Sequence, residues 1–407
     1  MTHATSESPA GQSASQAAIL VGFAEALAAI EVIWSLRAAG WEVVAFTRAG
    51  AKPAARRIPG LQLHPVCPPE IDARRTVEDV EALVRAWRPA AVMPLDDYAL
   101  WVCSRAKLDG AANAGAKGDA AEAALDKQAQ LHAASEAGLL IPPTEIVDDL
   151  ESSTTSPFPV FVKPGRALYE YEGRLVRPTG TICADMSELA SASTRPWNGP
   201  LLVQPLLTGS GEGLFGHASD VGVVAWSAHR RIRMVNPQGS ASSCCASTPV
   251  DASLTTPAEQ FLKLLGWRGL FMLEFLRDKE GRPWFMELNG RPWGSMALSR
   301  RRGFEYPAWS IKATLDPLWS PVAPSAPPDL RCRHLGMELA HLAFVLRGPR
   351  SEALTNWPRA WPTVADLLRI SRQDRLYNWD RHQPTVLLAD TWATLKFYLS
   401  RVVRSKQ

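Results

Sequence analysis

Short apolar runs and helical spacing alternate along the first hundred residues. Ala18-Ile-Leu-Val-Gly22 is a continuous apolar run. Ala24 to Ala39 repeats apolar positions at helical spacing up to a stop at Gly40, and Trp41-Glu-Val-Val-Ala-Phe46 is apolar again. The pattern predicts strand, helix, strand. In a second unit, Thr76 to Trp87 has helical spacing, and Ala90-Ala-Val-Met-Pro94 predicts a short buried strand running into Leu95-Asp-Asp97. Such alternation implies a parallel, doubly wound sheet. Gly22 is the only glycine in the first turn, so the dinucleotide fingerprint G-x-G-x-x-G is absent. Asp96 and Asp97 end a strand where such sheets bind ligands, although a helix N-cap followed by a first-turn acid explains them equally well.

Residues 106–125 are rich in Ala and Gly and read as a connector. Asp126-Lys127 then opens a helix that runs to Ala137 and stops at Gly138, ahead of Ile141-Pro-Pro-Thr144. Strands are predicted at Phe158-Pro-Val-Phe-Val-Lys163 and Leu201-Leu-Val-Gln-Pro-Leu-Leu207. The Pro-rich stretch Pro321 to Pro328 marks a boundary, beyond which the chain is mostly helical and rich in Trp and Arg. Val386 to Val403 is apolar on one side and ends in Arg401, Arg404 and Lys406. That face could lie on a membrane, but a helix packed on the domain is the simpler expectation.

The main chemical signal is a pair of acidic segments, Phe271-Met-Leu-Glu-Phe275 and Phe285-Met-Glu-Leu-Asn-Gly-Arg291. They flank the polar turn Arg277-Asp-Lys-Glu-Gly-Arg-Pro283. Centring a hairpin between Glu280 and Gly281 sets Glu274 opposite Glu287. Two-residue alternation then puts Phe271, Leu273 and Phe275 on one face with Trp284, Met286 and Leu288, and Glu274, Glu287 and Asn289 on the other. Carboxylates facing each other at about 5 Å repel, and a cation between them removes that cost. All-oxygen ligands without a neighbouring His or Cys suit Mg2+ and not zinc.

Composition narrows the class. A chain of 407 residues has room for two or three domains with proper cores, and 46% apolar with 21% charged residues is globular composition. A net charge of +3, with no basic stripe interleaved with aromatics, gives no support to a nucleic-acid partner. Cys67, Cys103, Cys183, Cys244, Cys245 and Cys332 show no C-x-x-C spacing, so a reducing cytoplasm is expected. Residues 1–16 are small and polar without a secretory pattern and read as a disordered tail.

With these motifs the sequence resembles the ATP-grasp ligases, and Arg291-Pro-Trp-Gly-Ser295 with Gly303-Phe-Glu-Tyr-Pro307 resembles their carbamoyl-phosphate-synthase-like branch. The likeness runs from about residue 17 to about 315. It implies that Glu274, Glu287 and Asn289 hold two Mg2+ ions, with Mn2+ as an alternative, and that Arg291 contacts the transferred phosphate. Lys163, ending a strand at Val162-Lys-Pro164, matches the phosphate-contacting lysine. Lys127 is a second by the same resemblance, standing against the preference of the helix dipole. Leu201 to Leu207 resembles the adenine hinge. Gln204, Leu206 and Leu207 would read the purine edge, since Pro205 has no N–H to donate, and Glu212 would accept from the ribose hydroxyls. Gly209-Ser-Gly-Glu-Gly213 suits a phosphate cradle or simply a flexible turn. His229-Arg-Arg-Ile-Arg233 resembles a segment lining the acyl-donor site. Alternation puts Arg231 and Arg233 on one face, where two guanidinium groups would hold a carboxylate or acyl-phosphate. One departure stands out: Gly165 to Gly180 is longer than the family's Gly-rich lid and carries Arg166, Arg174 and Arg177.

The expected fold class is α/β, with α+β character in the nucleotide domain. A Rossmann-like parallel sheet would occupy 17–115, a two-lobed ATP-grasp domain 116–315 with a lid lobe at about 140–203, and a mostly helical region 316–407. The activity implied is that of an ATP-dependent carboxylate–amine ligase forming an amide through an acyl-phosphate, with ADP and phosphate as products. Its partners would be a small-molecule carboxylate and an amine, and a homodimer is compatible. Carboxylation, thioester formation or a non-catalytic ATP-binding switch would share the same metal site.

Overall fold

The computed structural model describes residues 17–404 except 154–156, 196, 240, 352 and 355. The tail expected at 1–16 lies outside the described residues. Five parallel strands form the first sheet: β1 (Ile19–Gly22), β2 (Val43–Arg48), β3 (Gln62–Val66), β4 (Ala91–Pro94) and β5 (Ala112–Asn113), in the order β3-β2-β1-β4-β5. β1 and β4 are buried at every position, which is why their sequences are unbroken apolar runs and not alternating ones. Helices α1 (Ala29–Ala38), α2 (Ala73–Trp87) and α3 (Asp97–Arg105) link the strands. Asp96 caps α3, accepting from the Ala99 amide at 2.7 Å. Asp97, in the first turn, points to other partners.

Helices α4 (Gly118–Leu125) and α5 (Lys127–Glu136) lead into a second, antiparallel sheet. Its chain order is β6 (Glu145–Val147), β7 (Val160–Pro164), a separate hairpin of β8 (Tyr169–Tyr171) and β9 (Arg174–Val176), then β10 (Thr181–Cys183), helix α6 (Met186–Ser193) and β11 (Leu201–Pro205). The four sheet strands are ordered β10-β7-β11-β6. Val147, Val160, Val162, Leu189 and Val203 give this lobe a small core of its own.

The largest sheet has seven strands: β12 (Ser210–Ser219), β13 (Gly222–Met234), β14 (Ser242–Thr248), β15 (Gly269–Arg277), β16 (Pro283–Asn289), β17 (Arg331–Arg333) and β18 (Asp374–Leu376). Their order is β16-β15-β12-β13-β14-β17-β18. One face packs Leu214, Phe271, Leu273, Phe275 and Phe285 against Leu131 of α5 and Phe261 of helix α7 (Ala252–Leu264). The other turns Phe215, Leu270 and Met272 toward the N-terminal domain, with Trp293 and Tyr306. Trp293 stacks on Phe215, the ring centroids 4.6 Å apart.

Helices α8 (Met296–Arg301), α9 (Tyr306–Leu315), α10 (Leu335–Arg347), α11 (Ala360–Leu368) and α12 (Pro384–Arg404) complete the chain. Beyond residue 316 the chain is mostly helical, yet it also supplies two strands of the large sheet: β17 runs antiparallel to β14 and parallel to β18. α12 packs on the body, with Val386 fully buried and Tyr398 edge-on to Phe344 of α10. No helix among the described residues is long and apolar enough to cross a membrane.

Candidate active site

β15 and β16 form the acidic hairpin. Glu274 lies opposite Glu287, Leu273 opposite Leu288 and Met272 opposite Asn289. Directly opposed residues share a face, and so do residues two apart, so Glu274, Glu287 and Asn289 project together. The turn differs from the simple expectation. Arg277 pairs with Pro283, and the loop 278–282 closes when the Asp278 amide donates to the Arg282 carbonyl and Gly281 takes a positive φ of 82°. The pairing is therefore offset by one residue from that of the acids, and a bulge at Met286 absorbs the difference. The buried partner of Phe275 is consequently Phe285, fully buried, and not Met286 or Trp284, which are only half-buried.

Cations surround these acids. Lys163, at the end of β7, is only 6% exposed. Burial, reinforced by Lys127, pushes its ammonium down to about 8, against the pull of Glu287 and Glu274. Lys127 begins α5, its Nζ 3.6 Å from Glu287 Oε2. Burial, and the nearby Asp97, would raise the Glu287 carboxyl, but Lys127, Lys163 and Arg291 together outweigh them and hold it low. Arg231 pairs with Glu274 at 2.5 Å. Arg291 donates from Nε to Asp97 Oδ1 at 3.0 Å, and Arg177 pairs with the same carboxylate at 2.7 Å. Burial works against the Asp97 charge, yet Arg291 and Arg177 keep it below the ordinary carboxylate range. Lys127, Lys163, Arg231, Glu274, Glu287 and Arg291 are thus linked by ion pairs and charge coupling between the four-stranded and seven-stranded sheets, with Asn289 on the same sheet face as the acids.

The sequence matches no family model, and no curated protein is similar to it. Solved structures are. An L-amino acid ligase from Bacillus licheniformis superposes with a TM-score of 0.57 at 16% identity, covering 74% of this chain and 73% of that one. A biotin carboxylase from Campylobacter jejuni, in a β,γ-ATP complex, gives 0.59 at 14% identity over 77% and 74%. An N5-carboxyaminoimidazole synthetase from Staphylococcus aureus, complexed with ADP, gives 0.59 at 12% over 78% and 82%. The chain has the ATP-grasp fold. In ATP-grasp terms, the sheet bearing Lys163 and the sheet bearing the acids are the two lobes.

Within this ATP-grasp frame several side chains stand elsewhere than alternation predicts. Arg233 does not join Arg231. Shifts in the β13–β14 register on either side of it break the alternation, and its guanidinium donates to both oxygens of Glu338 on α10, at 2.9 and 2.6 Å. Arg333 and Ser243 donate to the same carboxylate. Glu212 is engaged by Arg277, whose Nε donates to its two oxygens at 2.9 and 3.0 Å while Nη2 holds Asp251. That makes Glu212 part of an ion cluster, not a free acceptor for a ribose. Gln204 is buried and donates to Thr144 Oγ1 at 2.6 Å. The Leu206 amide donates to the Pro159 carbonyl at 2.9 Å, which removes it from the hinge donors. Leu207 is the second residue beyond the end of β11. In the segment 165–180, the arginines bind carboxylates: Arg166 holds Glu122 and Asp126, Arg174 holds Glu172, and Arg177 reaches Asp97. Asp97, Arg177 and His229 face the site too; the sequence names Asp97 only as a strand-end acid, Arg177 only within the lid segment and His229 only as the start of the Arg231 segment, without a separate role for any of them. For Asp97 the signal is its place at a strand end; for Arg177 and His229 the signal is their segment, which does not say which side chain in it reaches the site.

Proposed function

We propose that the protein is an ATP- and Mg2+-dependent ligase that joins a small-molecule carboxylate to an amine through an acyl-phosphate, releasing ADP and phosphate. The observation that carries this reading is Glu274 facing Glu287 beside Asn289, with Lys163 converging from the four-stranded sheet and Lys127 from the start of α5. The donor set fits a hard divalent cation. Two carboxylates and one amide oxygen stand together, their charge is met here by Arg231 and Lys127, and among the described residues no cluster of three His, Cys, Asp or Glu side chains competes as a metal cage. Such an ion would neutralise phosphate charge and align the transferred group.

The chain's own residues supply the rest. Leu207 and the backbone around Gln204 read the adenine, with Leu206 excluded as a donor. Lys163 and Lys127 hold phosphate oxygens. Arg291 stabilises the charge that spreads onto the transferred phosphoryl group, and Arg231 orients the acyl donor. Asp97 keeps Arg291 in place at the mouth of the N-terminal sheet.

An ADP-release screen with L-amino acids, short-chain acids and bicarbonate, coupled to mass spectrometry of condensation products, tests the proposal. ADP formation should require a carboxylate and yield an amide, and Glu287→Gln should lower turnover at least about a hundredfold at unchanged melting temperature. Stimulation by bicarbonate alone would move the reading to carboxylation. Nucleotide binding without turnover across the panel would refute it.

A further inference from the structure

One buried side chain on the site face has no role in the scheme above. His229 is 1% exposed, and neither ring nitrogen makes a hydrogen bond. A neutral imidazole offers one N–H donor and one acceptor, and interior groups of that kind are ordinarily paired. Burial, with Arg231 adding to it, pushes the ring down to about 3, so it is uncharged and has no ion pair to compensate.

Its position is set by three registers. His229 on β13 lies opposite Gly213 on β12, Gly213 opposite Glu274 on β15, and Glu274 opposite Glu287 on β16. These four residues form one row across the sheet and share a face. Gly213 contributes no side chain, and a Cβ there would meet His229 Nε2 at 2.9 Å and the Phe215 ring at 2.7 Å. The imidazole therefore leans over the glycine, in the place a side chain there would take, on the side of the row that leads to Glu274. Phe215 fixes the ring from the side, edge-on at 4.9 Å, with Trp293 stacked behind.

The charges around the row are sorted. Lys127 stands on the Glu287 side and Arg231 on the Glu274 side. Phosphates belong with the lysines, which leaves the Arg231 flank for the second anionic reactant. On that flank, the side chain two residues from Arg231 on the same strand is His229. Resting on the ligase reading above, we propose that His229 contacts the acyl donor: its ring N–H donates to one carboxylate oxygen, and Arg231 engages the other.

The eight histidines can be labelled in their rings and observed by NMR, the His229 signal being assigned by its loss in His229→Gln. In the wild-type MgADP complex that signal should move saturably with at least one carboxylate among acetate, bicarbonate and the L-amino acids, and not with MgADP alone. A signal unmoved by every carboxylate, or one that MgADP alone moves fully, overturns the assignment. Kinetically, His229→Ala should raise KM for the carboxylate about tenfold or more while KM for ATP stays within twofold. His229→Gln, which keeps a donor, should recover most of the loss. Equal rises in both KM values would also overturn it. The two readings fail separately. A protein that forms no ADP while the His229 signal still answers to carboxylate refutes the ligase and keeps the contact, whereas ADP formation with an unresponsive His229 refutes the contact alone.

Discussion

Lys163 should make the protein less stable than it would be without the charge. Its ammonium is held at about 8 against an ordinary 10.5, burial being the main cause. A fall of that size corresponds to roughly 3 kcal/mol of unfavourable free energy for the charged form, and the figure already includes the attraction of Glu287 and Glu274. The sign follows from proton counting. Between about pH 8 and pH 10.5 the unfolded chain keeps a proton that the folded chain has released, so stability rises with pH across that window, and the whole penalty is present below it. Lys163→Met retains the apolar stem and removes the charge. In urea unfolding at pH 7 without nucleotide it should be more stable than wild type by up to roughly 3 kcal/mol, with the difference vanishing above about pH 10.5. Phosphate at the lysine restores the charged form. Nucleotide binding at pH 8.5 should therefore take up protons, measurable by calorimetry in two buffers of different ionisation enthalpy, and Lys163→Met should abolish the uptake. A variant no more stable than wild type at pH 7, or binding without proton uptake, would refute the reasoning.

Two further outcomes test the corrected placements. Glu338→Ala leaves the largely buried guanidinium of Arg233 without its carboxylate, while Arg333 keeps Asp374, and should cost about 3–5 kcal/mol in denaturant unfolding; a loss under about 1 kcal/mol would contradict the clamp. Glu212→Gln should weaken its pairing with Arg277 and lower the melting temperature while changing KM for ATP no more than about twofold, whereas a tenfold rise would restore the ribose contact to Glu212.

The site was legible where chemistry and local period coincide. Glu274, Glu287 and Asn289 are spaced by strand alternation around a polar turn, so their common face needs no tertiary information, and the bulge at Met286 moves only the apolar partners. Lys163 is legible for a similar reason, as a charge ending an apolar strand. The misplacements arise where a side chain's partner is remote. Arg233 looks equivalent to Arg231 by period, but its direction is decided by Glu338, 105 residues away, and by register shifts that no spacing announces. Glu212 is diverted by Arg277 across the β12–β15 pair. Leu206 loses its donor to Pro159 because β7 and β11 are neighbours. Long-range pairings of this kind follow from the assembled sheets and leave no trace in the local pattern.

The strand order of the large sheet governs how the molecule can mature and be shortened. Synthesis delivers residues 210–289 while β14 is still an open margin, because its neighbour β17 arrives only at residues 331–333. Until then the nascent sheet offers unpaired backbone to other chains, and Arg233 waits for a carboxylate that emerges later still. A fragment ended at the Pro-rich segment would keep every proposed metal ligand and nevertheless carry a raw sheet margin and a stranded guanidinium. A unit that keeps all seven strands of the large sheet extends past residue 376, where β18 ends, so the last quarter of the chain arrives late to a sheet whose proposed chemistry lies in the middle.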